Sequence, residues 1–266
     1  MGRMTKPADV PSAPLPGGVQ LPLVGLGTWK LRGDEARTAV TAALAVGYRH
    51  IDTATMYGNE DAVGQALADD GVHRDDVFLT TKLRPSDTGQ AEKILHRSLR
   101  ALRTDRIDLW LLHWPPPRPA ACRQAWNELI RLRDQGLIRA IGVSNFSLAQ
   151  IDDLVRATGE APAVNQVHWD PMRHSDAVLA GHRDRGVVVE GYSPLKDIRL
   201  DNPTLTEIAR AHQVTAAQVI LRWNIAHDIV VIPKSAHADR IAANIDLFGF
   251  EISDAEVAAI DALGRS

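Results

Sequence analysis

At 266 residues, with 45% hydrophobic and 24% charged side chains, the chain can bury a sizeable core and falls in the size range of single-domain α/β barrels. A formal net charge of -3 provides no general field toward nucleic acid or an anionic membrane, and no apolar run reaches the length of a membrane span or a signal-peptide core. The single cysteine, Cys122, excludes an intramolecular disulfide and a Cys-rich zinc site, so a soluble protein of the reducing cytoplasm is expected, with no metal and no nucleophilic thiol.

Residues 1–14 are polar, Pro-rich and without period, and read as a flexible tail ahead of one domain spanning 15–266. Pro16-Gly17-Gly18 then turns the chain between two short extended pieces, which predicts a β-hairpin before the main fold. From Leu23 onward one unit repeats. Strands are predicted near 23–27, 49–53, 77–81, 107–112, 139–143, 163–167, 187–191 and 229–232. Helical stretches lie between them, as in the apolar face of Ile94, Leu95, Leu99 and Leu102. Asn59 stands where it can cap a helix carrying Val63 and Leu67. Ser147 with Gln150, Thr204 with Glu207, Thr215 with Gln218 and Ser253 with Glu256 have capping-box spacing.

Strands alternating with helices imply parallel pairing and right-handed crossovers, and eight of them predict a closed (β/α)8 TIM barrel of the α/β class. An open doubly wound sheet uses the same units. It normally announces a dinucleotide site by G-x-G-x-x-G after its first strand, and Gly25-Leu26-Gly27-Thr28-Trp29-Lys30 puts lysine where the third glycine belongs.

Several predicted strands end on a polar residue: Asp52 with Tyr57 five positions later, Lys82, His113, and Ser144 with Asn145. Taken singly, an aspartate there caps a turn, a tyrosine is core with a wet hydroxyl, a lysine faces solvent and a histidine after an apolar run is packed. On one barrel rim the four make a set for moving a proton onto an oxygen. A phenol is a reluctant donor at neutral pH; Lys82 beside Tyr57 is expected to lower its pKa, and Asp52 to keep Lys82 charged and oriented. His113 could donate a hydrogen bond to the same oxygen. None of these side chains carries out redox chemistry alone, so a hydride must come from a cofactor.

Three stretches make the chain resemble the aldo-keto reductases, especially compact prokaryotic members similar to the 2,5-diketogluconate and glyoxal reductases, from about Val19 to Leu263. They are Gly47 to Gly64, with Asp52, Tyr57 and Glu60 in the family spacing; Arg139-Ala140-Ile141-Gly142-Val143-Ser144-Asn145-Phe146; and Ile232-Pro233-Lys234-Ser235 followed by Arg240. The resemblance implies a barrel that binds NAD(P)H without a Rossmann unit. It makes Tyr57 the general acid, tuned by Lys82 and Asp52, with His113 orienting the carbonyl. On the cofactor side it implies that Ser144, Asn145 and Gln166 clamp the nicotinamide carboxamide and that Tyr192 stacks on the ring. Ser193, Pro194 and Leu195 fall along the pyrophosphate, Thr28, Trp29 and Asp52 near the nicotinamide ribose, and Lys234, Ser235 and Arg240 at the adenosine 2'-phosphate. Two cations and a hydroxyl suit a dianion, so NADPH (NADP+) is the expected cofactor, with NADH as second choice.

Two departures from the family pattern stand out. Ala243 replaces the usual acidic adenine contact, although Asn244 remains, and His168-Trp169-Asp170 replaces the usual Glu, aromatic and His before Pro171. Trp29, Tyr57, His113 and Trp114 are expected to wall the carbonyl in a shallow, permissive pocket suited to small aldehydes, dicarbonyls and keto-sugars. The expected activity is NADPH-dependent reduction of an aldehyde or ketone to the alcohol, by a monomer that binds neither nucleic acid nor membrane. A non-catalytic NADP(H)-binding regulatory subunit, and a dedicated biosynthetic reductase or dehydrogenase with one specific substrate, stay open.

Overall fold

The computed structural model describes residues 10–265; residues 1–9 of the predicted tail lie outside them. Ser12–Pro14 (β1) pairs antiparallel with Gln20–Pro22 (β2) around the turn at Pro16–Gly18. Residues 12–14 therefore belong to the hairpin and not to the tail. The turn works because Gly17 and Gly18 both adopt positive φ, 76° and 77°, which side chains with a Cβ resist. It folds Leu15, Val19 and Leu21 onto a buried cluster with Phe78 and Ala163, residues at strand starts, so the hairpin covers the N-terminal mouth of the barrel.

The barrel strands are β3 (Leu26–Gly27), β4 (His50–Asp52), β5 (Phe78–Leu83), β6 (Ile107–Leu112), β7 (Ile138–Ser144), β8 (Val164–His168), β9 (Val188–Tyr192) and β10 (Val230–Val231). Each pairs in parallel with the next in chain order. A parallel bridge between Val24 and Val231 joins first to last: Gly25 N–H donates to the Val231 carbonyl at 2.8 Å and Val231 N–H to the Leu23 carbonyl at 2.9 Å. The seam explains the broken glycine motif. A Cβ on Gly25 would stand 2.5 Å from the His50 ring, and one on Gly27 would stand 2.7 Å from the Ile232 carbonyl oxygen. Both glycines allow close backbone packing and cradle no phosphate.

Helices α1 (Gly33–Ala45), α2 (Glu60–Asp70), α3 (Ala91–Ala101), α4 (Pro119–Asp134), α5 (Leu148–Thr158) and α6 (Asp176–Arg183) follow β3 to β8 in turn. Next, α7 (Pro203–His212) and α8 (Ala216–Ala226) separate β9 from β10, and α9 (Ala238–Ile245) and α10 (Asp254–Asp261) follow it. Full capping boxes open α5, α8 and α10 at Ser147, Thr215 and Ser253. The start predicted at Thr204 is displaced: Asn202 caps α7 by accepting from Thr204 N–H at 2.9 Å, with Pro203 at the first helical position. Asn59 occupies the N-cap position of α2, but its side chain caps nothing. It donates to the Thr28 and Leu31 carbonyls, both at 2.9 Å, and accepts from Thr53 Oγ1 at 2.7 Å, fastening the loop after β3 to the end of β4. The layer between barrel and helices buries Leu26, Ile51, Leu79, Trp110 and Trp126 among others, and Cys122 joins it, its thiol pushed up to about 11 by burial. Among the described residues no helix is long and apolar enough to cross a membrane.

Candidate active site

Strand direction places the candidate side chains. Asp52 ends β4, Lys82 is the penultimate residue of β5, His113 follows β6, Ser144 ends β7, Gln166 lies in β8 and Tyr192 ends β9, so all gather at the C-terminal rim. There a cavity of about 350 Å³ is lined by Asp52, Tyr57 and His113 on its floor and by Trp29, Met56 and Trp114 at its mouth. Tyr57 closes the single turn Thr55–Tyr57, which Thr55 Oγ1 ties to β5 by donating to the Lys82 carbonyl at 2.9 Å.

Lys82 is wholly buried and its Nζ is three-way bonded: to Asp52 Oδ1 at 2.6 Å, to the Thr53 carbonyl at 2.9 Å and to Tyr57 OH at 3.3 Å. Burial works against the ammonium, but Asp52 and Tyr57 outweigh it and hold the Lys82 pKa above its ordinary value. Burial likewise raises the Asp52 carboxyl and Lys82 pulls it back. With Nζ donating to Oδ1 and Gln166 Nε2 donating to Oδ2 at 2.8 Å, the pair is held as ammonium and carboxylate.

Tyr57 departs from expectation. Burial lifts its pKa above the ordinary value of 10.0, and Lys82 recovers only part of that rise. Charge proximity was legible in the sequence; the opposing loss of hydration was not. The consequence is a phenol that stays protonated at neutral pH, with a cation placed to stabilise the phenolate as it forms. His113 meets the Tyr57 ring edge-on at a centroid distance of 5.7 Å. Burial, and then Lys82, hold its pKa down to about 3, so it faces the cavity as a neutral imidazole.

The other end of the cavity is amide-rich. Ser144 Oγ donates to the Gln166 carbonyl at 2.8 Å and accepts from Asn145 Nδ2 at 2.9 Å, while Tyr192 OH donates to Asn145 Oδ1 at 2.9 Å. Asn145 and Ser193 hold positive φ, 63° and 55°, a strained backbone that recurs at binding rims. Lys196 and Lys234 bring two cations to the same cavity, which Ser193 and Tyr192 also line. This donor set fits a nicotinamide dinucleotide: an aromatic face, amides for a carboxamide, and ammonium groups for phosphate.

Other predicted cofactor residues lie outside the cavity lining. Thr28 Oγ1 donates to the Asp52 carbonyl at 2.9 Å, Pro194 is buried, and Leu195 packs into the core around Trp169 and Trp223. Ser235 Oγ accepts from His237 N–H at 3.0 Å, and α9 carries Arg240 exposed and Asn244 buried. The His168-Trp169-Asp170 departure acquires a structural role. His168 stacks on Tyr192 at 5.3 Å and 19°, Trp169 enters the core, and Asp170 accepts from Met172 N–H at 2.9 Å and pairs with Arg173 at 2.8 Å. Residues that sequence reasoning missed are Met56, His168 and Lys196 in the lining, and His50 and Glu190 beneath it. A carboxylate directly after three valines, inside the strand predicted at 187–191, was the available signal for Glu190.

A family model described as the aldo/keto reductase family matches residues 23–265. The chain is 41% identical over 263 residues to a protein of Mycolicibacterium vanbaalenii named aldo-keto reductase, covering 98% of this chain and 94% of that one. The crystal structure of an aldo/keto reductase from Brucella melitensis superposes with a TM-score of 0.93 at 41% identity, covering 96% of this chain and 99% of that one. A Bombyx mori aldo-keto reductase in complex with NADP superposes with a TM-score of 0.90 at 36% identity, covering 95% and 92%.

Proposed function

From the premise that the chain belongs to the aldo/keto reductase family, we propose that it is an NADPH-dependent oxidoreductase that reduces an aldehyde or ketone to the alcohol. The observation that carries this reading is the buried Lys82 ammonium, bonded at once to Asp52 and to Tyr57 OH, which line the floor of an open cavity. When bound, NADPH supplies the hydride that no side chain here can supply. NADP in the Bombyx mori relative supports that choice of dinucleotide.

The chain's own residues do the rest. Tyr57, protonated at neutral pH, donates its hydroxyl hydrogen to the carbonyl oxygen as that oxygen gains charge. Lys82, paired with Asp52, then holds the phenolate left behind. Neutral His113 is placed to donate a hydrogen bond to the same oxygen and fix the carbonyl's orientation. Gln166 spends both amide hydrogens on carboxyl oxygens, so its Oε1 is left to accept from a carboxamide. Lys234 and Lys196 offer charge to the dinucleotide phosphates. Trp29 and Trp114 stand at the mouth, each 47% exposed, and walls so open suit small aldehydes, dicarbonyls and keto-sugars rather than one tightly enclosed substrate.

Mixing the protein with NADPH and a panel of such carbonyls, while following nicotinamide absorbance, tests the assignment. Turnover of several small aldehydes or dicarbonyls is expected. Tight NADPH binding with no turnover of any carbonyl would leave a binding subunit and defeat the enzymatic reading.

A further inference from the structure

Strand β9 carries a carboxyl, Glu190, that the chemistry above uses only as an acceptor for Gln166. Glu190 is fully buried inside the barrel and is faced by His50 and Asp52 from β4, Lys82 from β5 and Gln166 from β8; its register partner on β10, Val230, brings no charge. Gln166 Nε2 gives one hydrogen to Asp52 Oδ2 at 2.8 Å and the other to Glu190 Oε2 at 2.7 Å. With both hydrogens committed, the amide cannot turn over without setting its own oxygen against two carboxyl oxygens.

The other oxygen of Glu190 decides its protonation. His50 Nδ1 lies 3.3 Å from the Pro22 carbonyl, which can only accept, so Nδ1 carries the ring hydrogen and Nε2 is a lone pair. That lone pair accepts from Thr80 Oγ1 at 3.2 Å and lies 3.5 Å from Glu190 Oε1, which has no hydrogen-bond partner. An ionised Glu190 would set lone pair against lone pair. A protonated one places a hydrogen between the two and removes that repulsion. Electrostatics agree: burial, then Asp52, push Glu190 up to about 8, and burial holds His50 down to about 3.

We propose that Glu190 is a positioning residue kept in its protonated form: it locks the Gln166 amide with Oε1 toward the nicotinamide carboxamide, and leaves Asp52 as the only counter-charge of Lys82. The role toward the carboxamide rests on the dinucleotide assignment above; the protonation state does not. When Glu190 loses its proton to solvent at alkaline pH, a second negative charge enters beside Asp52 and Lys82. The Tyr57 phenolate then becomes harder to form, so kcat falls.

Glutamine at this position copies the neutral acid, accepting from Gln166 and turning N–H toward His50, and cannot ionise. Infrared spectra of the wild type minus E190Q should show a protonated carboxylic acid band near neutral pH that fades around the pH at which Glu190 ionises. A difference band that is missing at neutral pH, or that titrates with ordinary carboxylates, overturns the protonation claim whether or not the protein turns anything over. For positioning, E190L should weaken NADPH binding by about tenfold, the worth of one well-made hydrogen bond, and E190Q should restore it. E190Q should also keep its kcat at alkaline pH, where that of the wild type declines. NADPH binding unchanged in E190L, or an alkaline decline that persists in E190Q, refutes the positioning role. Absence of wild-type turnover would defeat the carbonyl-reductase reading alone, because the infrared and NADPH-binding measurements would still report on Glu190.

Discussion

The Tyr57 hydroxyl is one oxygen with two opposed influences on it. Burial resists the phenolate and Lys82 at 3.3 Å favours it, and burial prevails in the resting protein. In the role proposed for it, such a phenol stays loaded at neutral pH and depends on the nearby cation only as its proton departs. Tyr57→Phe should therefore lower kcat by about 100-fold or more, the usual range for a positioned general acid, while NADPH binding measured by fluorescence stays within about twofold. Wild-type turnover in that variant would remove Tyr57 from its role. At this scale the residue types of the rim were legible in the sequence, since Asp52, Lys82, His113 and Ser144 each close a strand-like run. The sign of the Tyr57 shift was not, because hydration lost on burial has no signature in spacing.

Elements carry the site through small backbone accommodations. The seam of the barrel rests on Gly27, where an added Cβ would stand 2.7 Å from a backbone carbonyl that cannot rotate away. Gly27→Ala should cost about 1–3 kcal/mol, the range for overpacking, and shift β3 against β10 beneath the Lys234 side of the cavity. Urea unfolding checks the first part, and NADPH titration of the folded variant the second; an unchanged midpoint would mean that the seam yields freely. Helix starts show how far local signals reach. Three predicted capping boxes formed at Ser147, Thr215 and Ser253 because both partners lie within one turn and need nothing from the rest of the fold. Thr204 lost its place to Asn202 two residues earlier, and Asn59 was drawn off by the Thr28 and Leu31 carbonyls on another loop. That competition is tertiary and lies outside any window of sequence.

For the molecule as a whole, two buried histidines set an acid limit. Burial holds His50 and His113 down to about 3, against an ordinary value of 6.5, so over that interval the unfolded chain binds more protons than the native one. Their contribution is intact above the ordinary value and is lost as pH falls toward about 3. Urea midpoints should decline as pH is lowered below that ordinary value, and H113N should decline less steeply. Equal slopes would show that His113 is protonated without penalty.

The sequence by itself determined the alternation of eight strands with helices, the hairpin ahead of them and the polar residue at the end of several strands, because periodicity, turn residues and capping spacing are local properties. The closed ring, which turns separate strand ends into one rim, was decided only by the pairing of Val24 with Val231. Ring closure also decided what stands beneath the rim. Asp52, Lys82, Gln166 and Glu190 come from four strands and meet buried beneath the surface, so hydrogen bonds and proton occupancy there are settled by neighbours up to 138 positions away in the chain, the distance from Asp52 to Glu190.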